Sequence, residues 1–181
     1  MTWHVNNSGI ACYDRFYELI FAKMYRQTLN KEQALQKAKH YCAYQERCHS
    51  EVKEKLYSLG LYKSGVDEVT AILVEENYLN EERFAIQFAG GRFRIKQWGK
   101  VKIKYELKQK QVSDYCIKKA LASIDTADYE KTLQKLFNQK KQSLRTEKNI
   151  FIKKKKIGDY LIAKGFEIGL INELLQKWQS V

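Results

Sequence analysis

Lys55–Leu61 reads KLYSLGL, and the same pattern returns as ELKQKQV at Glu106–Val112 and as YLIAKGF at Tyr160–Phe166. Alignment of the three superposes Leu56, Leu107 and Leu161, at spacings of 51 and 54 residues. Self-similarity on this scale is the signature of a repeat architecture. Each segment is followed by an amphipathic helical pattern: Val69, Ile72 and Leu73; Ile117, Ala120 and Leu121; Ile171, Leu174 and Leu175. Each is also preceded by one. The simplest solution is an all-α fold of three tandem three-helix repeats packed into an elongated curved array. Its units run over 31–79, 80–124 and 125–181, the last two basic, with 1–30 as an N-terminal extension. A unit this short buries too little apolar surface alone, so neighbours must pack together.

The helix signals agree with the repeat. Apolar residues fall at helical spacing at Val52, Leu56 and Leu59, at Phe84 and Phe88, at Ile103 and Leu107, and at Ile157 and Leu161. No stretch alternates with period two for long enough to argue a strand. Asn30-Lys-Glu-Gln33 and Ser64-Gly-Val-Asp67 resemble capping boxes, and Asn80 precedes Glu81 and Glu82. Ser113 with Asp114, Thr126, and Thr146 with Glu147 mark further starts. The chain contains no proline, where average usage of about 5% would supply roughly nine. Proline breaks helix interiors, so its absence suits a chain that is helical almost end to end.

Residues 1–23 differ from the rest, with two asparagines, a glycine and an aromatic-rich stretch from Phe16 to Phe21. Two readings are open. Met24 is the biological start, or the segment is an extra helix docking through Phe16, Leu19 and Ile20. The N-terminus carries Trp3, His4 and Asp14 where a secretory signal needs basic and then apolar residues. No apolar run approaches the ~20 residues that span a bilayer. Cys12, Cys42, Cys48 and Cys116 form no C-x-x-C pair. The expectation is a cytoplasmic protein with no membrane partner.

Charge narrows the function. The formal net charge is +12, and residues 1–91 hold 11 Lys/Arg against 12 Asp/Glu while residues 92–181 hold 22 against 9. Positive charge confined to one half points to a polyanionic partner. Enzyme signals are poor: there is no phosphate-binding G-x-x-x-x-G-K-S/T loop, no G-x-S-x-G and no H-E-x-x-H. The acidic pairs Asp67/Glu68, Glu75/Glu76 and Glu81/Glu82 suit helix ends or exposed faces. His40, Cys42, Cys48 and His49 are the one group resembling metal ligands. On a single helix Cys48 leaves the face that Cys42 and His49 share, so buried cysteines beside partly exposed histidines are the better reading. We expect no catalytic residues, no metal and no cofactor.

The basic segment is more informative. Arg92, Arg94, Lys96, Lys100, Lys102, Lys104, Lys108 and Lys110 fall within 19 residues with Glu106 alone opposing them. Lys100, Lys104 and Lys108 recur every four residues, a stripe that tracks phosphates without reading bases. Phe93, Trp98 and Tyr105 lie among these charges and are candidates for stacking on bases. Core is the preferred reading for Phe93 and Tyr105, while Trp98, beside Gly99 at a helix junction, stays open between the two roles. The second basic run, Lys153–Lys156, points all round a helix. At least one lysine must lie near the buried side and snorkel outward, so two of the four can reach a phosphate, unless the run is simply solvated. Gly90 and Gly91 inside a helical pattern allow either close packing or a bend.

The passage ENYLNEERFAIQFAGGRFRIKQWGKVKIKYELKQKQV, Glu76–Val112, resembles the RecX family of bacterial recombinase regulators. Tyr78, Leu79, Asn80, Arg83, Phe84 and Ala85 match that family's "G-Y-L-[DN]-[DE]-x-R-F-A" element. Gly99, Lys102, Ile103, Glu106, Leu107, Lys110 and Val112 match its "G-x-x-[KR]-I-x-x-E-L-x-x-K-G-[IV]" element. Two positions depart: Asn77 and Gln111 stand where the family has glycine. The resemblance covers about Lys31 to Trp178. It implies a three-repeat helical fold that lodges in the groove of the RecA–DNA filament and modulates, usually inhibits, filament growth, ATP hydrolysis and strand exchange, without catalysis or cofactor. Expected partners are the RecA filament and single- and double-stranded DNA, with the protein a monomer. Expected contacts are Arg92, Arg94, Lys96, Trp98, Lys100, Lys104 and Lys108, with Lys155 and Lys156 secondary and the acidic first unit, at Glu75 and Glu76, facing protein. The competing reading is a stand-alone helix-turn-helix protein acting in transcription. The helices at 113–124 and 167–178 begin with Asp114, Tyr115, Glu167 and Ile168, a poor set for reading base edges.

Overall fold

The computed structural model describes residues 29–178, and the proposed start at Met24 and the docking helix at Phe16–Ile20 lie outside the described residues. The described residues form nine helices and no strand. They are α1 Lys31–Tyr44, α2 His49–Ser58, α3 Lys63–Glu75, α4 Glu81–Lys96, α5 Lys100–Gln109, α6 Asp114–Ala122, α7 Thr126–Ser143, α8 Ile150–Lys164 and α9 Ile168–Lys177. Every closely packed helix pair lies within one of the triplets α1–α3, α4–α6 and α7–α9. The fold is all-α, a helical repeat array of three three-helix units.

The motif that revealed the repeat is also its structural unit. Leu56, Leu107 and Leu161 are fully buried on the second helix of each triplet. Each begins the same C-terminal turn: Leu61 N–H donates to the Leu56 carbonyl at 3.3 Å, Val112 to Leu107 at 3.1 Å and Phe166 to Leu161 at 3.2 Å. This 6→1 closure requires a left-handed residue just before its end. Gly60 (φ 92°), Gln111 (φ 60°) and Gly165 (φ 89°) occupy that position. Asn77, the other departure from the family pattern, is left-handed too, at φ 59°. Asparagine tolerates that conformation, whereas glutamine carries the full steric cost of its Cβ.

Three of the six helix starts marked in the sequence sit where it puts them. Asn30 and Gln33 form the reciprocal capping box, Asn80 accepts from Arg83 N–H, and Ser113 accepts from Cys116 N–H. Three starts shift. Ser64 lies inside α3, whose N-cap Tyr62 makes no side-chain bond. The turn at Gly60 has already reversed the chain, so the helix begins directly. Asp125, not Thr126, caps α7, and Asn149, not Thr146, caps α8, with Glu147 accepting from Asn149 N–H. In both cases the preferred acceptor type lies next to the first apolar turn.

The core falls into two clusters. One belongs to the first unit, built on Ala34, Ala38, Val52, Leu56, Val66, Val69 and Leu73. The other runs continuously through the second and third units, from Phe84 to Ile171, and takes in Cys48 from the α1–α2 link. The first unit is tied to the second by Ser50 Oγ donating to the Lys110 carbonyl at 3.1 Å and by Lys110–Glu51 (2.6 Å) and Arg83–Glu46 (2.5 Å) ion pairs. Cys48 caps α2, so the four residues His40, Cys42, Cys48 and His49 do not share one helix. No group of His, Cys, Asp and Glu side chains is arranged to hold a metal ion among the described residues.

The second and third units meet backbone to backbone. Gly99 N–H donates to the Lys164 carbonyl at 2.9 Å and Val101 N–H to the Gly165 carbonyl at 3.0 Å. A Cβ on Gly99 would sit 2.1 Å from the Gly165 oxygen, so glycine alone permits the approach. Gly99 cannot cap α5 with a side chain. The Tyr129 hydroxyl does so from α7, accepting from Lys100 N–H at 2.9 Å and donating to the Glu167 carboxylate at 2.5 Å. Burial first, and then the Glu167 bond, push the Tyr129 pKa well above the ordinary phenol value.

Candidate nucleic-acid interface

The expected contact residues from Arg92 to Lys108 are carried by α4, by α5 and, for Trp98, by the Gln97–Gly99 joint, which the Gly99–Gly165 contact holds against the third unit. The C-terminus of α4 is closed by left-handed Gln97 (φ 53°), whose N–H donates to the Phe93 carbonyl. The chain therefore turns sharply at Trp98 and sends α5 off with its basic face outward.

On α5 the apolar seam Ile103–Leu107 is fully buried. Residues four apart share a face, so Lys100, Lys104 and Lys108 line the flank of that seam as one stripe. Lys104 and Lys108 are exposed, and Lys100 is half-buried with its ammonium 4.8 Å from the centre of the Tyr129 ring. Lys108 pairs with exposed Asp114 at 3.2 Å. That surface bond is worth no more than ~1 kcal/mol and yields readily to a phosphate. Lys104 has no ion-pair partner among the described residues. Lys110, by contrast, is consumed internally. Burial lowers its pKa, but the hydrogen bond and charge of Glu51 outweigh this and hold it above the ordinary value. Lys102 is half-buried, 4.7 Å from the Trp98 ring centre, with its ammonium donating to the Ala163 carbonyl at 3.4 Å.

On α4, Arg94 and Lys96 are exposed. The Arg92 guanidinium lies over two rings, 4.8 Å from Phe88 and 5.2 Å from Trp98. Trp98 is thus half-buried and already packed by both Arg92 and Lys102, which leaves its ring little free face for a base. Phe93 is core, as expected, against Tyr129. Tyr105 is not core: it is 61% exposed. Two residues from Ile103 is about 200° of rotation, so a seam at 103 and 107 drives 105 to the opposite face. Gly90 and Gly91 lie within the unbroken helix α4. A Cβ on Gly91 would meet nothing and one on Gly90 only the Arg94 side chain, so packing demands neither glycine. Gly91 instead floors a shallow groove between α4 and the α1–α2 link, lined also by Gln45, Phe88, Arg92 and Ile95.

The second basic run sits on α8. Lys153 and Lys154 are half-buried, the latter 5.8 Å from the Trp178 ring centre, while Lys155 and Lys156 are exposed. Lys156 pairs with Glu147 at 2.9 Å, and that hydrogen bond holds the Glu147 carboxyl below the ordinary range. Of the pair, Lys155 is the more available. In the first unit Glu76 pairs with Lys39, and Glu75 is exposed. No helix of the described residues is long and apolar enough to cross a membrane.

Residues 80–121, which hold most of this basic surface, match the family model described as RecX, second three-helix domain. The chain is 29% identical over 132 residues to the regulatory protein RecX of Clostridium perfringens (strain 13 / Type A), covering 72% of this chain and 61% of that relative. The chain therefore spans about three-fifths of the length of its clostridial relatives. It is 30% identical over 147 residues to the regulatory protein RecX of Prosthecochloris aestuarii, covering 80% of this chain and 92% of that one. The crystal structure of RecX from Lactobacillus salivarius shares the fold, with a TM-score of 0.75 at 22% identity, over 83% of this chain and 97% of that one. With a relative matched at this identity along nearly its whole length, the chain belongs to the RecX family.

Proposed function

We propose that this protein regulates a RecA-type recombinase by lodging in the groove of the recombinase–DNA filament, where it restrains filament growth, ATP hydrolysis and strand exchange. The observation that carries the reading is a coincidence of place. The segment matching the second three-helix domain of RecX is also the one that presents Arg94, Lys96, Lys104 and Lys108 to solvent. A groove lined by DNA phosphates and protein suits a rigid body with a basic face on α4–α5 and a near-neutral first unit. Arg92, clamped by two rings, orders the joint, while Lys100 begins the stripe.

The proposed division is three units over 31–79, 80–124 and 125–181, with the third adding Lys155 and Lys156 to the phosphate-facing set. The protein acts as a monomer and by occupancy, without catalysis. The test is single-stranded-DNA-dependent ATP hydrolysis by the cognate RecA, with this protein titrated at substoichiometric ratios. Inhibition well below one molecule per recombinase, lost in the Lys100→Glu/Lys104→Glu/Lys108→Glu variant, is expected. No effect at any ratio, with DNA binding intact, would overturn it.

A further inference from the structure

The exposed face of α5 carries two parallel stripes of different chemistry. Beside the lysines at 100, 104 and 108 runs an apolar pair one turn apart, Val101 (54% exposed) and Tyr105 (61% exposed). Duplex phosphates need the lysines alone and have no use for a solvated phenol ring and isopropyl group beside them. Single strands do, because their unstacked bases have free π faces that gain from an aromatic platform next to a backbone-tracking cationic row. The other two units have no ring at the equivalent position. Superposition on Leu56, Leu107 and Leu161 places Glu54 and Asp159, both exposed, at the position of Tyr105. Those carboxylates repel a phosphate chain, and neither of the other units places a ring at this position. Trp98 does not supply the platform, since Arg92 and Lys102 already cover it.

We infer that Tyr105, with Val101 beneath it and Lys104 and Lys108 alongside, is a stacking site for one base of a single-stranded nucleic acid. The inference rests on the filament reading above only in placing DNA against this face, and it gives the second unit a preference for single strands over duplex. A base lies on the Tyr105 ring while the flanking phosphates follow Lys104 and Lys108. Lys108 exchanges its surface pairing with Asp114 for a phosphate in the process.

The experiment is fluorescence polarisation of the full chain against a labelled oligothymidylate and a labelled duplex of equal length, at several salt concentrations. Tyr105→Ala is expected to weaken binding of the single strand about tenfold, the factor that follows from losing one aromatic stack. Duplex binding should stay within twofold, and the salt slope should be unchanged because no charge is removed. Tyr105→Phe keeps the ring and should bind like the parent, whereas Tyr105→Leu should resemble alanine. Equal single-strand affinity in the parent and Tyr105→Ala overturns the inference, and so does an equal loss on both ligands. If Lys104→Glu/Lys108→Glu abolishes both bindings and recombinase inhibition while Tyr105→Ala changes nothing, the filament reading stands and the stacking site falls. If Tyr105→Ala loses the single strand but the parent never inhibits the recombinase, the stacking site stands and the filament reading falls.

Discussion

Tyr129→Phe removes one oxygen from the joint that orients the basic helix, and its consequence can be worked from the contacts. The side chain is 2% exposed, packed between Phe93 and Phe166 at ring-centre distances of 5.7 and 5.2 Å. Phenylalanine keeps all of that packing. What goes is the acceptor for Lys100 N–H, on a helix that has no other N-terminal cap, and the donor to Glu167 at the start of α9. A neutral hydrogen bond contributes about 0.5–1.5 kcal/mol and one to a charged group about 1.5–3. Both groups are only partly buried and regain some solvation, so the net loss should be about 2 kcal/mol. For a chain of this size that corresponds to a fall in Tm of about 4–8 °C. The loss also carries a pH signature. The Tyr129 pKa is raised on folding, so its contribution is present below the unfolded value near 10 and is lost as pH climbs toward the folded one. Urea unfolding of parent and variant should therefore differ by about 2 kcal/mol at pH 7–9, and the gap should narrow above pH 10. A variant within ~0.5 kcal/mol of the parent at pH 8, or a gap constant up to pH 11, would refute the hydroxyl as the cap of α5.

Other substitutions probe the turns, joints and charges. Gln111→Gly should stabilise by about 0.5–1 kcal/mol, because the 1–2 kcal/mol left-handed cost exceeds the backbone entropy glycine adds; differential scanning calorimetry should show a Tm higher by a few degrees. Gly99→Ala should cost 3 kcal/mol or more, since its Cβ would overlap the Gly165 carbonyl, with faster amide exchange at Gly99 and Val101; ordinary exchange there would place the joint elsewhere. A double-mutant cycle on Lys110 and Glu51 should give a coupling of about 1 kcal/mol, and one on the more exposed Lys108 and Asp114 about 0.3 or less. Burial raises the Glu81 pKa, but hydrogen bonds from Ser113 and Cys116 outweigh it and leave it low. Its stabilisation is thus present above the unfolded value near 4.3 and lost as pH falls through the folded one, so Glu81→Gln should flatten the acid limb of a stability–pH curve.

The repeat, the all-helical class and the family resemblance were legible in the chain because each rests on local chemistry. Buried leucine at 56, 107 and 161, apolar residues three and four apart, Asn and Ser before the helix starts, and the absence of proline act within a turn or two of the residue concerned. The lysine stripe was legible for the same reason: spacing alone puts residues 100, 104 and 108 on one face. What each cation does was not, because that depends on partners distant in sequence. Glu51 engages Lys110 in an internal ion pair, Tyr129 accepts from the first N–H of α5 from 29 residues away, and Arg92 and Lys102 cover Trp98. Tyr105 shows the boundary between the two kinds of information. Its exposure follows from helix geometry once the seam at 103 and 107 is chosen, whereas only the tertiary contacts show that the neighbouring Trp98 ring is already covered by Arg92 and Lys102. Composition and spacing determined the helical class, the three-fold repeat and the buried seam of each repeat's second helix. Tertiary packing, by the close approach of Gly99 to Gly165, the two clusters of buried apolar side chains and the ion pairs between units, decided which charges remain exposed and unpaired.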